Sequence, residues 1–268
     1  MTTNIQRLID VLTRLRDPNG GCPWDMKQTH ASLASGTVEE TYELVEAIEK
    51  NDTNAIKDEL GDVLLHVVFH AQLGRETGAF DFESVAGHVA DKMIERHPHV
   101  FGERDVKTAH DVLVNWEADK EAKRQAQALA EGHTLSVLDN VSTALPSSTR
   151  AVKLQKRAAR VGFDWAEARD VLSKIREEIG ELEHEIAKGA NKDFLEDELG
   201  DVFFAVTNLA RKLEIDPETA LRRTNRKFER RFRGIEAALA AEGRKISDAS
   251  LDEMERIWNA IKAAEKTA

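Results

Sequence analysis

The sequence predicts an all-α protein built from two tandem helical-bundle domains that arose by internal duplication. Three observations carry that prediction. The chain has 268 residues with only five prolines and one tyrosine, and Ala, Leu, Glu, Lys and Arg dominate it, as helical proteins require. The hexapeptide Asp58-Glu59-Leu60-Gly61-Asp62-Val63 recurs letter for letter as Asp197-Glu198-Leu199-Gly200-Asp201-Val202. Upstream of it, Glu39-Glu40-Thr41-Tyr42-Glu43 matches Glu177-Glu178-Ile179-Gly180-Glu181, so the repeat has a period of half the chain. The four tryptophans fall as one pair per half, Trp24 with Trp116 and Trp165 with Trp258. The first domain is expected over residues 1–130, a connection over 131–150 and the second domain over 151–268.

Taken in order, Ile5, Leu8, Ile9, Leu12 and Leu15 recur at helical spacing and predict a first helix. Asp17-Pro18-Asn19-Gly20-Gly21 stops it. The loop Cys22-Pro23-Trp24-Asp25 leads through Gln28-Thr29-His30 to a helix from Thr37 to Lys50. After the turn Asn51-Asp52-Thr53-Asn54, the helix bearing the first hexapeptide continues apolar through Val67, Val68 and Phe69. His66 and His70 lie four apart on it with no third ligand nearby, and read as packing residues. Residues 74–81 read as a loop, Val85, Val89, Met93 and Ile94 as an amphipathic helix, and Thr108 to Leu129 as the last helix of the half. In the second half a basic helix is expected from Ala151 to Val161, and Gly162-Phe163-Asp164-Trp165 parallels the earlier Pro23-Trp24-Asp25. Asp216-Pro217-Glu218 opens a helix where proline is tolerated, and a final helix runs from Asp252 to Lys266.

Between these lies an acidic hairpin, Lys174 to Phe204, turned at Lys188-Gly189-Ala190-Asn191. Ile175, Ile179, Leu182 and Ile186 make the apolar stripe of its first helix; Leu195, Leu199, Val202, Val206 and Leu209 make that of its second. Packed stripe to stripe, the two helices bring Glu178, Glu181, Glu198 and Asp201 together along one flank, with no cation expected among them. Carboxylates at close range repel one another, so the cluster wants a cation. Hard oxygen donors without cysteine or paired histidine favour magnesium, or manganese, over zinc. A Glu-rich helix alone is more often a solvated face. A glycine inside the second helix, costing about 1 kcal/mol relative to alanine, shifts the balance toward function.

Arg223, Lys227 and Arg230 share one face of the later basic helix, with Arg226 and Arg233 beside them. Metal-holding carboxylates beside Lys and Arg are how a triphosphate is held. Trp258 offers a ring on which a base could stack, or a core residue. The first half repeats the carboxylates as Glu40, Glu43, Glu59 and Asp62, but its segment Lys92 to Phe101 has fewer cations and a helix-breaking Pro98. Both halves can hold metal; only the carboxyl-terminal half carries the cations that phosphates need.

A net charge of −11 argues against general nucleic-acid binding. The single Cys22 excludes an internal disulfide and fits a reducing compartment. No apolar run approaches the roughly 18 residues of a membrane span, and the amino terminus reads as an amphipathic helix rather than a signal peptide. A cytoplasmic protein without membrane contact is expected.

Taken together, GGCPWDMKQTHASL, GTVEETYELVEAI, KDELGDVLLHVVFHAQ and IERHPHVFG, then KLQKRAARVGFDW, REEIGELEHEI, EDELGDVFFAVTNLARKL and RRTNRKFERRF, resemble MazG, the tandem-domain branch of the all-α nucleoside triphosphate pyrophosphohydrolases. The resemblance covers nearly the whole chain. It implies magnesium-dependent hydrolysis of ribo- and deoxyribonucleoside triphosphates to monophosphate and pyrophosphate, in a homodimer. It places the metal ligands on Glu178, Glu181, Glu198 and Asp201. It places nucleotide contacts on Lys174, Glu177, Glu178, Glu196, Asp197, Asp201, Lys227, Arg230, Arg231 and Trp258, and the activity in the second domain. With no Ser, Cys or His placed as a nucleophile, metal-activated water is the expected attacker at the α-phosphorus. Two other readings stand beside this one. A di-iron bundle needs two Glu-x-x-His motifs, and the hairpin offers only Glu181 with His184. A non-catalytic module that senses nucleotide or dimerises would show no turnover of a nucleotide panel.

Overall fold

The computed structural model describes residues 3–103 and 136–267, with scattered positions between. Among the described residues every regular element is helical: α1 (Asn4–Leu15), α2 (His30–Lys50), α3 (Thr53–Thr77), α4 (Phe82–Arg96), α5 (Pro98–Phe101), α6 (Ser147–Arg160), α7 (Ala168–Lys188), α8 (Lys192–Lys212), α9 (Pro217–Ala241) and α10 (Leu251–Thr267). The chain divides into two compact units, residues 1–123 and 124–268. Most of the helix expected over Thr108 to Leu129, and positions 131 and 133–135 at the start of the expected connection, lie outside the described residues.

In the first unit Leu12, Leu33, Val68, Phe69 and Leu73 form the core, with Ile5, Leu8, Ile9, Leu65 and Phe82 packed against it. Full burial of such side chains stabilises by about 1.5–3 kcal/mol each. The helix expected from Thr37 starts seven residues earlier, at His30. Thr29 and Ser32 form a reciprocal capping box there, with Ser32 N–H donating to Thr29 Oγ1 at 3.1 Å and Thr29 N–H to Ser32 Oγ at 2.9 Å. Helix α2 ends on Asn51, whose φ of 55° is left-handed, and Asp52 then accepts from the Asn54 and Ala55 amides to start α3. Helix α3 runs on to Thr77 through part of the expected loop. Gly74 lets Phe80 fold back onto the end of α3, because a Cβ there would lie 2.5 Å from the Phe80 ring.

His66 and His70 do meet a third histidine. Thr37 Oγ1 donates its one proton to the Leu33 carbonyl at 2.9 Å, so it can only accept from His66 Nδ1 at 2.9 Å and His70 Nε2 at 3.3 Å. His70 Nδ1 is then bare and accepts from His30 Nδ1–H at 2.8 Å. The His30 and His70 rings are parallel to within 1° with centroids 5.1 Å apart. Rings with Nδ1 atoms in hydrogen-bond contact can be that far apart only end to end in a common plane. The nitrogens are therefore spent on hydrogen bonds that tie the start of α2 to α3, in keeping with a packing role.

In the second unit Ala151, Val171, Ala205, Ile235 and Leu239 are buried. Helix α6 begins at Ser147, ahead of the expected Ala151. Asp164 anchors its loop to α8 through Arg211 at 2.5 Å and Lys212 at 2.7 Å. Asp216 caps α9 with Pro217 at the first position, as expected. Gly234 lets α10 close on α9, since a Cβ there would lie 2.7 Å from Ile261 Cδ1.

The burial of His70, with His30 and then His66 beside it, holds its pKa below the ordinary histidine value. A depressed folded-state pKa means that the unfolded chain takes up the proton first as pH falls through about 6.5. The first unit should therefore keep its full stability above about pH 7 and lose part of it toward about pH 5. Hydrogen exchange of α2 amides, corrected for intrinsic rates, checks this. The protection lost between the two pH values should be smaller in His70→Asn than in the wild type; equal losses would contradict it.

Candidate functional site

The acidic hairpin forms as its turn chemistry dictates. Helix α7 stops at Lys188 because Gly189 adopts a left-handed φ of 68°, and Asn191 accepts from the Asp193 and Phe194 amides to start α8. The antiparallel pair brings carboxylate oxygens of Glu178, Glu198 and Asp201 within 4.8 Å of one another. Glu178 is buried at 7% exposure, Glu198 half-buried and Asp201 exposed.

Glu181 stands beside this trio rather than in it. The adjoining Glu178 carboxyl, then burial, raises the Glu181 pKa, with Lys174 working the other way. Crowded carboxyl groups resist ionising together. Donor type and spacing suit a hard divalent ion: oxygen atoms only, one of them on a buried side chain that needs a positive partner.

That partner in the structure is Lys174. Its Nζ lies 2.9 Å from Glu178 and 2.8 Å from Glu177, and those carboxylates hold its pKa above the ordinary lysine value. The cluster expected to be free of internal cations therefore contains one, and this contact corrects the expectation. The signal is present in the sequence, because Lys174 precedes Glu178 by four residues and so shares its helix face.

The first unit repeats the arrangement with a different member. Glu40, Glu43 and Glu59 come together within 4.8 Å, whereas Asp62 stands outside that group. Burial and then Glu43, Asp62, Glu40 and Asp58 raise the Glu59 pKa.

The expected phosphate side is arranged less simply. Glu196, Asp197, Lys227 and Arg230 are exposed along α8 and α9. Arg230 and Arg231 are not free donors, because both pair with Glu265 of α10 at 2.7 Å. Trp258 packs rather than presenting an open platform: the Arg231 guanidinium lies 5.3 Å from its ring centroid and Phe228 5.5 Å away. Glu265 has no signal in the sequence, since 35 residues separate it from Arg230.

Fold and site together define a duplicated helical protein with a carboxylate hairpin in each half. The sequence pattern of the MazG nucleotide pyrophosphohydrolase domain matches residues 28–101 and again 167–234. The chain is 43% identical over 262 residues to a nucleoside triphosphate pyrophosphohydrolase of Escherichia coli, covering 97% of this chain and 98% of that one. It is 38% identical over 265 residues to the nucleoside triphosphate pyrophosphohydrolase/pyrophosphatase MazG of Thermotoga maritima, covering 98% and 97%. The chain belongs to the MazG family.

Glu198→Gln tests the crowding directly. Removing one charge should leave the melting temperature in chelator equal to or above that of the wild type, while the rise produced by magnesium shrinks or disappears. A variant that melts lower in chelator, or keeps the full magnesium effect, would contradict this account.

Proposed function

We propose that the second unit hydrolyses nucleoside triphosphates, of ribose and deoxyribose alike, to nucleoside monophosphate and pyrophosphate. The observation that carries the reading is the Glu178–Glu198–Asp201 group, set in the second MazG match of a chain that aligns end to end with relatives of that name.

Glu178, Glu198 and Asp201, with Glu181 alongside, would hold Mg2+ or Mn2+. Bound there, such an ion would supply Lewis acidity to phosphoryl oxygens and acidify water. The chain's own groups do the rest. Lys174 and Lys227, joined by Arg230 and Arg231 when these exchange Glu265 for phosphate, bind and orient the triphosphate, each charge-assisted contact contributing roughly 1.5–3 kcal/mol. Glu177, Glu196 and Asp197 border the nucleotide, and Trp258, with Arg231 on its ring, walls the base side. Water attacks the α-phosphorus, a carboxylate of the cluster accepts its proton, and the bond to the β-phosphate oxygen breaks. Pyrophosphate leaves with the electron pair, its charge met by Lys and Arg.

A homodimer fits the surface of α8. Phe203 and Phe204 are exposed there, and with Leu221 they border an apolar cavity of about 640 Å³. Gly200 opens onto the same cavity, with nothing within 4 Å of a Cβ built on it. Apolar surface of this kind marks interaction sites, and helical spacing puts its Phe203 and Thr207 on the side opposite Glu198. Among the described residues no helix is long and apolar enough to cross a membrane. With the lone thiol of Cys22, the cytoplasm suits the proposal.

Turnover in oxygen-18 water tests the reaction. Label should enter the monophosphate and not the pyrophosphate. Orthophosphate and nucleoside diphosphate as first products would mean attack at the γ-phosphorus and a different enzyme.

A further inference from the structure

Among the described residues, the cation beside the second carboxylate cluster has no counterpart at the first. Aligning the two acidic motifs places Gly36 opposite Lys174, just as Glu40 stands opposite Glu178 and Glu43 opposite Glu181. A side chain at position 36 would crowd His66, since even its Cβ would fall 3.0 Å from His66 Cε1 and the ring would have to shift. His66 is held there by its bond to Thr37. One unit therefore has a hydrogen-bonded histidine where the other has an ammonium paired with the buried glutamate of the cluster.

We propose that Lys174 is a switching counter-ion: it neutralises Glu178 until a divalent cation arrives, and is then released to the triphosphate. The inference rests on the metal reading of the second cluster and adds how metal and nucleotide are coupled there. The reasons are physical. Glu178 is the buried acid of the trio and needs one positive partner at all times. A lysine and a divalent ion cannot both sit close to the same carboxylate without repelling each other. Lys174 carries a flexible stem, is about a third exposed, and already divides its contact between Glu178 and Glu177, so it can swing without disturbing the backbone. Freed from Glu178, its charge is best placed against phosphate oxygens. The metal thus tightens nucleotide binding, and by reciprocity the nucleotide tightens metal binding. The first cluster, with glycine in that place, can bind a cation but cannot make this exchange.

Manganese binding to the full chain, followed by electron paramagnetic resonance of the free ion, provides the test. The measurement is made in a Glu40→Gln/Glu59→Gln background, so that the second cluster is the one titrated. Without nucleotide, Lys174→Met and Lys174→Gln should each bind Mn2+ about tenfold more tightly than the parent, because a competing cation is gone. The tightening of Mn2+ that an α,β-methylene triphosphate produces in the parent should fall several-fold in both variants. Variants that bind Mn2+ no more tightly than the parent, or that keep the full coupling, overturn the switch. If neither parent nor variants bind Mn2+, the metal reading itself fails and the switch with it. Circular dichroism of the variants confirms that they are folded.

Discussion

Mutual repulsion among carboxylates is the constraint around which the second unit is arranged. Glu178, Glu198 and Asp201 come within 4.8 Å of one another because α7 and α8 pack as an antiparallel hairpin. Glu178 is buried by that packing, and a buried charge without a partner costs several kcal/mol. The structure answers this locally: Lys174 pairs with Glu178. That answer is provisional in a chemical sense. A lysine on a flexible stem is what a divalent cation would displace under the proposed function, so the residue that neutralises the hairpin would also set its readiness for metal.

Much of this is legible in the sequence, and for identifiable reasons. The hexapeptide repeat exposes the duplication, and the Gly189 and Asn191 turn brackets the hairpin because left-handed and capping positions select few residue types. Helical spacing places Glu178, Glu198 and Asp201 on facing flanks. The start of α2 is harder to read, because Gly36 and three Ser or Thr residues resemble a loop, whereas the Thr29–Ser32 capping box has already begun the helix. The meeting of His30 with His70 and the pairing of Arg230 and Arg231 with Glu265 are not legible. These contacts join residues more than thirty positions apart, and one sequence carries no record of such distances.

The two halves show how a duplicated scaffold can separate roles. Both keep three carboxylates within 4.8 Å of one another, so the acidic group was copied with the hairpin. What differs is the surrounding charge. The second unit has Lys174 on the cluster and a long basic helix, α9. In the first, Gly36 and the hydrogen-bonded Thr37 and His66 occupy the place of the lysine. Its helix α4 gives way at His97 before Pro98. A triphosphate bound at the first cluster would leave much of its charge unmatched.

The central claim is that the chemistry belongs to the second cluster and that the first contributes something other than turnover. Steady-state kinetics of Glu59→Gln and Glu198→Gln, equivalent members of the two clusters, measured on folded full-length protein with magnesium and a nucleoside triphosphate, tests it most directly. Glu198→Gln should lower kcat/KM by a factor of about a hundred or more, equivalent to losing roughly two strong contacts in the transition state. Glu59→Gln should leave kcat/KM within a few-fold of the wild type. Equal losses in the two variants would contradict the account.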